Sequence, residues 1–402
     1  MTLPSQSISA PAAPAPRKAP LRAVGQVVAV LAITLGLILA LLEVGLRLFA
    51  PQIVPPITGL FTADPATAYR LAPGARVPFR FAEGSITFAI NSQGLRADHE
   101  IGPPAASTTR LLNLGDSFTF GMGVNADQAY PALLNGKHAA DGTRIDSVNA
   151  GVFGYGTDNE AAWLRTYGWP LAPKIVLVGF FVGNDVKDVM LGMDKTTVDS
   201  QGRLVATQKS RAAMDSPDEA GADTTPPSTG IKGWLEQNSH AYLFLRNAYY
   251  NLTRPPAKVQ QPTIFDAASF FLKDEPAEIT AGWAKTTAIL DAMRADAQAH
   301  GAQLVVVAIP TREQVHDRYW NEMKQQFGLT DAQLVRDLPE QHLAAWSART
   351  GAPLIDLLPG FRAADPNKQL YYFRTDRHWN AAGHALAATL ITEGMTRLGL
   401  FK

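Results

Sequence analysis

The chain is 402 residues long and 46% hydrophobic, enough for one large core with segments to spare. Its 36 basic and 36 acidic residues balance, which argues against a surface built for nucleic acid. No cysteine is present, so a disulfide framework, a thiolate metal site and a cysteine nucleophile are all excluded.

Residues 1–16, with repeated Ala, Pro and Ser, read as disordered, within a cytoplasmic tail spanning 1–22. Ala23 to Leu42 carries no charge over 20 residues, which at 1.5 Å rise per residue is about 30 Å, the thickness of a bilayer's hydrocarbon core. The run is longer than a usual signal-peptide core and lacks a clear small-residue cleavage site, so residues 23–45 are expected to remain as a single-pass anchor. Arg17, Lys18 and Arg22 precede it without an acidic residue, which places the N-terminus in the cytoplasm and the rest outside. In a bacterium this means an inner-membrane protein with a periplasmic body. Residues 46–106 are expected to form a linker and a β-hairpin, in which Phe79, Phe81, Ile86, Phe88 and Ile90 alternate around a turn at Glu83-Gly84-Ser85.

Five apolar runs follow: Leu111 to Leu114, Ile145 to Val148, Ile175 to Val182, Leu304 to Ile309 and Pro353 to Leu358. Most are apolar throughout, as parallel strands covered on both faces are. Helical patterns separate them, the clearest placing Ile279, Trp283, Thr286, Leu290, Met293 and Ala297 on one stripe ahead of Gly301. The predicted fold class is therefore α/β, a doubly wound parallel five-stranded sheet occupying residues 107–402. An insertion at 187–275 is too long for a simple crossover. Within it Ser200 to Gly230 reads as a loop, and the aromatic stretch Trp234 to Leu252 as helix that either covers the site or packs on the sheet.

The chemistry centres on LLNLGDSFTFG at 111–121, which places Ser117 where a buried strand ends and the chain turns. A serine hydroxyl attacks an ester only when a base takes its proton and a third group orients that base. Of eight histidines His378 is the best placed, because Asn380 behind it can cap a terminal helix and hold the preceding loop. Asp376 is positioned to bond the far imidazole nitrogen. Taken singly, Gly115-Asp116-Ser117 is also an ordinary turn, and Asp376-Arg377-His378-Trp379 a turn beside a helix start. Asp116 reads as a residue that fixes its turn through backbone N–H groups, and His384 as one facing the loop or solvent.

Together with Asn149 to Gly156 (NAGVFGYG) and Gly183-Asn184-Asp185, these segments resemble in order the four blocks of the SGNH (GDSL) hydrolase family. One residue separates Asp376 from His378 where the family pattern has two. The resulting Asp-x-His-Trp is similar to the version in polysaccharide O-acetyltransferases of the AlgX and AlgJ type. The resemblance implies a Ser117, His378, Asp376 triad, and an oxyanion hole made by the backbone N–H groups of Ser117 and Gly154 with the side-chain amide of Asn184. It implies acyl, foremost acetyl, ester hydrolysis or transfer on cell-envelope polysaccharide, with a membrane partner delivering acetyl groups if transfer is the reaction. Arg312, with Thr311 and Gln314 after the fourth strand, is a candidate contact for an anionic sugar, beside the plainer reading of a salt bridge. No dinucleotide, Walker or metal-ligand spacing occurs, so no cofactor or metal is expected. Two other readings remain open: a membrane-proximal lipase or thioesterase, and a non-catalytic scaffold or carbohydrate-binding component.

Overall fold

The computed structural model describes residues 21–49, 57–81, 83–208, 230–253, 262–364, 371–373 and 377–402. Asp376, most of the Ser200 to Gly230 loop and the tail through residue 20 lie outside the described residues. The apolar run forms a helix, Leu21–Phe49. Its segment Gly25–Phe49 has mean hydropathy 2.7 and is long enough to cross a membrane. Two antiparallel pairs follow: β1 (Phe61–Asp64) with β2 (Ala68–Leu71), and β3 (Arg76–Phe81) with β4 (Gly84–Ala89). In the second pair Phe81 faces Gly84, so Gly84 and Ser85 lie in the strand and the turn falls earlier than the sequence suggests.

The main sheet is built from β5 (Thr108–Gly115), β6 (Arg144–Asn149) and β7 (Ile175–Phe181). After the short antiparallel pair β8 (Thr196–Val198) and β9 (Leu204–Ala206) come β10 (Gln303–Ile309) and β11 (Leu354–Asp356). The five sheet strands are parallel in the order β11-β10-β7-β5-β6. Because neighbouring side chains on a strand point to opposite faces, each apolar run feeds two cores. Leu112, Leu114, Val176, Val178 and Val306 join one with Trp283 and Leu290 of helix Ala277–Ala299. Leu111, Ile175, Leu177, Val305 and Val307 join the other with Trp379 and with Ala387 and Ile391 of helix Ala381–Arg397. That division is what makes the sheet doubly wound. The predicted stripe on Ala277–Ala299 is the buried one.

The segments before the sheet belong to its first core. Leu60, Phe61, Tyr69, Leu71 and Phe88 are buried in it, and the Phe88 ring meets Phe120 edge-on at 5.0 Å. β8–β9 folds back on β1, with Gly59 N donating to the Gln201 carbonyl at 2.8 Å and Phe61 N to that of Gly202 at 3.2 Å. The aromatic part of the insertion is helical, Gly230–Asn238 and His240–Thr253, and it packs along the N-terminal helix.

In this strand order the chain reverses direction across the sheet between β5 and β7. At such a switch point the loops after adjacent strands diverge and leave a crevice beyond the carboxyl ends. Ser117 follows β5, Gly154 follows β6 and Asn184 follows β7. The turn out of β5 depends on Gly115, whose φ is +151° and where an added Cβ would lie 2.0 Å from Thr119 Oγ1 and 3.1 Å from the Gly179 carbonyl. Gly115→Ala should therefore cost about 2 kcal/mol or more through strain and overpacking. An unchanged melting temperature for the detergent-solubilised variant would contradict this account of the turn.

Candidate active site

Asp116 caps the single helical turn Ser117–Phe120, its Oδ1 accepting from Phe118 N at 2.8 Å. Gly121, at φ +82°, ends that turn in the left-handed region. Ser117 is thereby held as the first helical residue with only 6% of its surface exposed. Asp116 Oδ2 accepts from the Asn184 side-chain amide at 3.1 Å, which ties the end of β5 to the end of β7.

His378 arrives from the far end of the sequence. Tyr372 and Trp379 pair as an isolated antiparallel bridge, with Phe373 N donating to the His378 carbonyl and Asn380 N to that of Tyr371, both at 3.0 Å. Asn380 caps the terminal helix, its Oδ1 accepting from Gly383 N at 3.0 Å. Trp379 is fully buried, stacked on Phe361 at 5.1 Å and meeting Phe118 edge-on at 5.0 Å. With its neighbour fixed in this way, the imidazole of His378 lies 5.1 Å from the Phe118 ring, and its Nε2 is 2.6 Å from Ser117 Oγ. The two residues are 261 positions apart in sequence. A neutral imidazole at this distance can take the hydroxyl proton as the oxygen attacks.

The loop after β6 closes the other side. Phe153 lies 6.5 Å from the His378 ring, and its carbonyl accepts from the Tyr69 hydroxyl at 3.2 Å. Gly154 has φ +78°, and an added Cβ there would stand 2.8 Å from that hydroxyl. Among the described residues neither the Ser117 nor the Gly154 backbone N–H has a protein hydrogen-bond partner. Asn184 commits one amide hydrogen to Asp116, while its Oδ1 is buried without a partner. A developing oxyanion needs donors of this kind that are already oriented.

Buried carboxyl groups cluster behind the serine. Burial pushes the Asp116 carboxyl up to about 6, against the pull of the Phe118 N–H, His378 and Asn184. Burial also raises Glu160 and Asp185 well above the carboxylate range, and Asp116 adds to both by repulsion. His384, expected to face loop or solvent, is instead buried: its Nδ1 accepts from Tyr130 N at 3.3 Å and burial drives its pKa down to about 3. It is a neutral packing residue under Trp379, whose ring it meets at 5.6 Å.

The segment after β10 differs from the polar rim its sequence suggests. Thr311 and Gln314 are buried and satisfy each other in a capping box, and the Gln314 amide donates to both carboxylate oxygens of Glu340. Arg312 pairs with Glu313 at 3.1 Å and lies 4.4 Å over the Tyr319 ring. Among the described residues no group of three or more His, Asp or Glu is arranged to hold a metal ion. Tyr69 and the Asp116–Asn184 bond escaped the sequence reading; a tyrosine in a short strand far upstream carries no motif. The role of Trp379 was hinted at by its place directly after the histidine.

The sheet order and the helices on its two faces define a doubly wound α/β fold with the serine at its carboxyl edge. Residues 269–401 match a family model described as "SGNH hydrolase-like domain, acetyltransferase AlgX". The chain is 30% identical over 136 residues to the Pseudomonas putida protein named "Probable alginate O-acetylase AlgJ", a match covering 33% of each. It thus spans about a third of that relative's length. Over this region the chain is similar to SGNH proteins of the AlgX/AlgJ type. Solved structures similar to it include a GDSL-like lipase of Bacteroides thetaiotaomicron (10% identity, TM-score 0.36, 74% of this chain and 92% of that one). A variant of a Geobacillus acetyl-xylooligosaccharide esterase is another (12%, 0.35, 74% and 96%).

The raised Asp116 carboxyl gives a pH test. A carboxyl that binds its proton more tightly when folded, about 6 against an ordinary 3.8, makes the native state hold more protons than the unfolded chain between those values. Stability should then fall as pH rises through roughly 4 to 6. Asp116→Asn should reduce this slope in thermal melts taken across that range. A slope identical to that of the parent would show that Asp116 is not the group responsible.

Proposed function

We propose that this protein is a membrane-anchored serine enzyme that transfers or hydrolyses acyl groups, foremost acetyl, on a cell-envelope polysaccharide. The observation that carries the reading is the 2.6 Å approach of His378 Nε2 to Ser117 Oγ at the carboxyl edge of a doubly wound sheet. Ser117 Oγ attacks the acyl carbonyl carbon as His378 takes its proton. The tetrahedral intermediate collapses to an acyl-serine as His378 protonates the leaving alcohol. Water or a sugar hydroxyl, deprotonated by His378, then takes the acyl group. Asp376 orients the imidazole, and the N–H groups of Ser117 and Gly154 with the Asn184 amide hold the oxyanion. The helix Leu21–Phe49 anchors the chain in the inner membrane, with a cytoplasmic tail and a periplasmic body, and a transfer reaction would require a membrane partner to supply acetyl groups. The substrate class is supported by the Asp-x-His-Trp segment and by the name of the AlgJ relative. With Thr311 and Gln314 turned inward, Arg312 is the remaining candidate of that segment for a contact with an anionic sugar.

The test is acyl-group tracking with the full-length protein in detergent, given acetyl esters with and without candidate polysaccharides. Ser117→Ala and His378→Ala should each abolish most turnover, and the double variant should be little worse than either, because members of one relay are non-additive. Asp376→Asn should also be severe through the wrong imidazole tautomer. Near-native activity in folded Ser117→Ala would end the assignment. Asn184→Ala should lower kcat by about 100-fold or more with little change in KM, since its bond strengthens as charge develops. An effect confined to KM would assign Asn184 to substrate positioning instead.

Acyl length separates substrate classes. A site that does not bury added methylenes gains none of their ~0.8 kcal/mol each, so kcat/KM should be highest for acetyl. A steady rise with chain length would favour a lipase.

A further inference from the structure

The insertion's two helices carry an apolar surface that no other described residue covers. On Gly230–Asn238, Ile231 and Trp234 are 80% and 62% exposed. On His240–Thr253, Leu245, Tyr249 and Leu252 recur at i, i+4 and i+7, one face of a helix, and are 46%, 63% and 86% exposed. Stripes of this size on a protein in water mark a contact surface.

What fixes the position of this surface is a pair of charges at the end of the apolar N-terminal helix. Glu43 accepts from Ser239 Oγ at 2.9 Å, His240 N at 3.1 Å and Ala241 N at 2.8 Å, capping the start of the second insertion helix. Arg47, itself 2.6 Å from Glu43, donates to the Asn238 carbonyl at 2.6 Å, capping the end of the first. Orphan N–H groups thus meet a carboxylate and an orphan C=O meets a guanidinium, each matched to the local helix charge. Gly25 to Leu41 of the N-terminal helix is exposed throughout, so the uncovered apolar surface of that helix leads directly to the capped joint.

We infer that the helix pair Gly230–Thr253 is a second membrane contact, lying in the headgroup region of the leaflet into which the anchor's C-terminal end emerges. The joint lies where about 30 Å of uncharged helix has just been completed. The residues offered at that depth are a tryptophan and a tyrosine with aliphatic neighbours, the composition of an interfacial belt and of helices that lie in the interface plane. Lys232 and Arg246 against Glu236 leave the pair near neutrality, so apolar burial rather than attraction to anionic lipid drives the contact.

The inference rests on the anchor reading, and the test separates the two. Because the chain has no cysteine, single cysteines introduced at Ile231, Tyr249, Leu252, Leu37 and Ala345 can each carry one spin label in the full-length protein. The protein is reconstituted in vesicles of phosphatidylethanolamine and phosphatidylglycerol, and the labels are compared for collision with oxygen and with a water-soluble nickel chelate. Leu37 should report the bilayer interior, Ala345 water, and Ile231, Tyr249 and Leu252 a shallow lipid position between them. If those three match Ala345 while Leu37 reports lipid, the interfacial contact is wrong and the anchor stands. A water-exposed Leu37 overturns both. Glu43→Gln should loosen the label at Leu252 without moving that at Leu37, and an unchanged Leu252 signal would overturn the role given to the joint.

Discussion

The burial of Trp379 is the constraint on which the candidate site depends. Ser117 is set by its own strand and turn, but His378 comes from a loop with no strand to direct it, and its reach to the hydroxyl must be imposed from outside. The indole does this by filling a slot between Phe361 and Phe118. Phe118 is also the residue whose N–H fixes the Asp116 cap. The same ring therefore braces the nucleophile's turn and the base's neighbour, and the two cannot drift independently. Dense packing of this kind holds a reacting pair to a fraction of an ångström, as chemistry at a serine requires.

Around that pair the protein assembles a cluster of buried carboxyl groups. Asp116, Glu160 and Asp185 would repel one another strongly if all were ionised, and burial resolves this by favouring their protonated forms. Asp185 bonds the Phe181 N–H and the Thr157 hydroxyl, and Asp116 bonds the Phe118 N–H and the Asn184 amide. The use of Asp116 as a strut between two strand ends explains why an acid, with two acceptor oxygens, stands directly before the serine.

The main sheet was legible because its strands are nearly all apolar and each ends in a small polar turn; all five were placed, with ends shifted by a few residues. The helix Ala277–Ala299 was legible for the matching reason, a periodic stripe closed by a glycine. Legibility failed where polar residues serve the interior. Thr311, Gln314 and His384 read as rim or solvent groups because polarity was taken for exposure, whereas all three are buried, Thr311 and Gln314 bonded to each other and His384 accepting from Tyr130 N. Tyr69 escaped for a related reason: its contact lies 84 residues downstream. Asp376, read from its place two residues before His378 and from the family resemblance, lies outside the described residues.

Tyr69 carries a further consequence. Its hydroxyl bonds the Phe153 carbonyl, its backbone carbonyl receives the Tyr155 hydroxyl, and its ring meets that of Tyr155 at 5.2 Å. The glycine loop at 154 is thus clasped by a strand laid down before the first strand of the main sheet. During synthesis this clasp is the first part of the site to leave the ribosome, and it waits for its loop; His378, near the other end, arrives last. The site closes like a purse drawn from both ends of the chain, so trimming residues 57–71 would take Leu60, Phe61, Tyr69 and Leu71 out of the sheet's first core and leave the crevice with one wall missing.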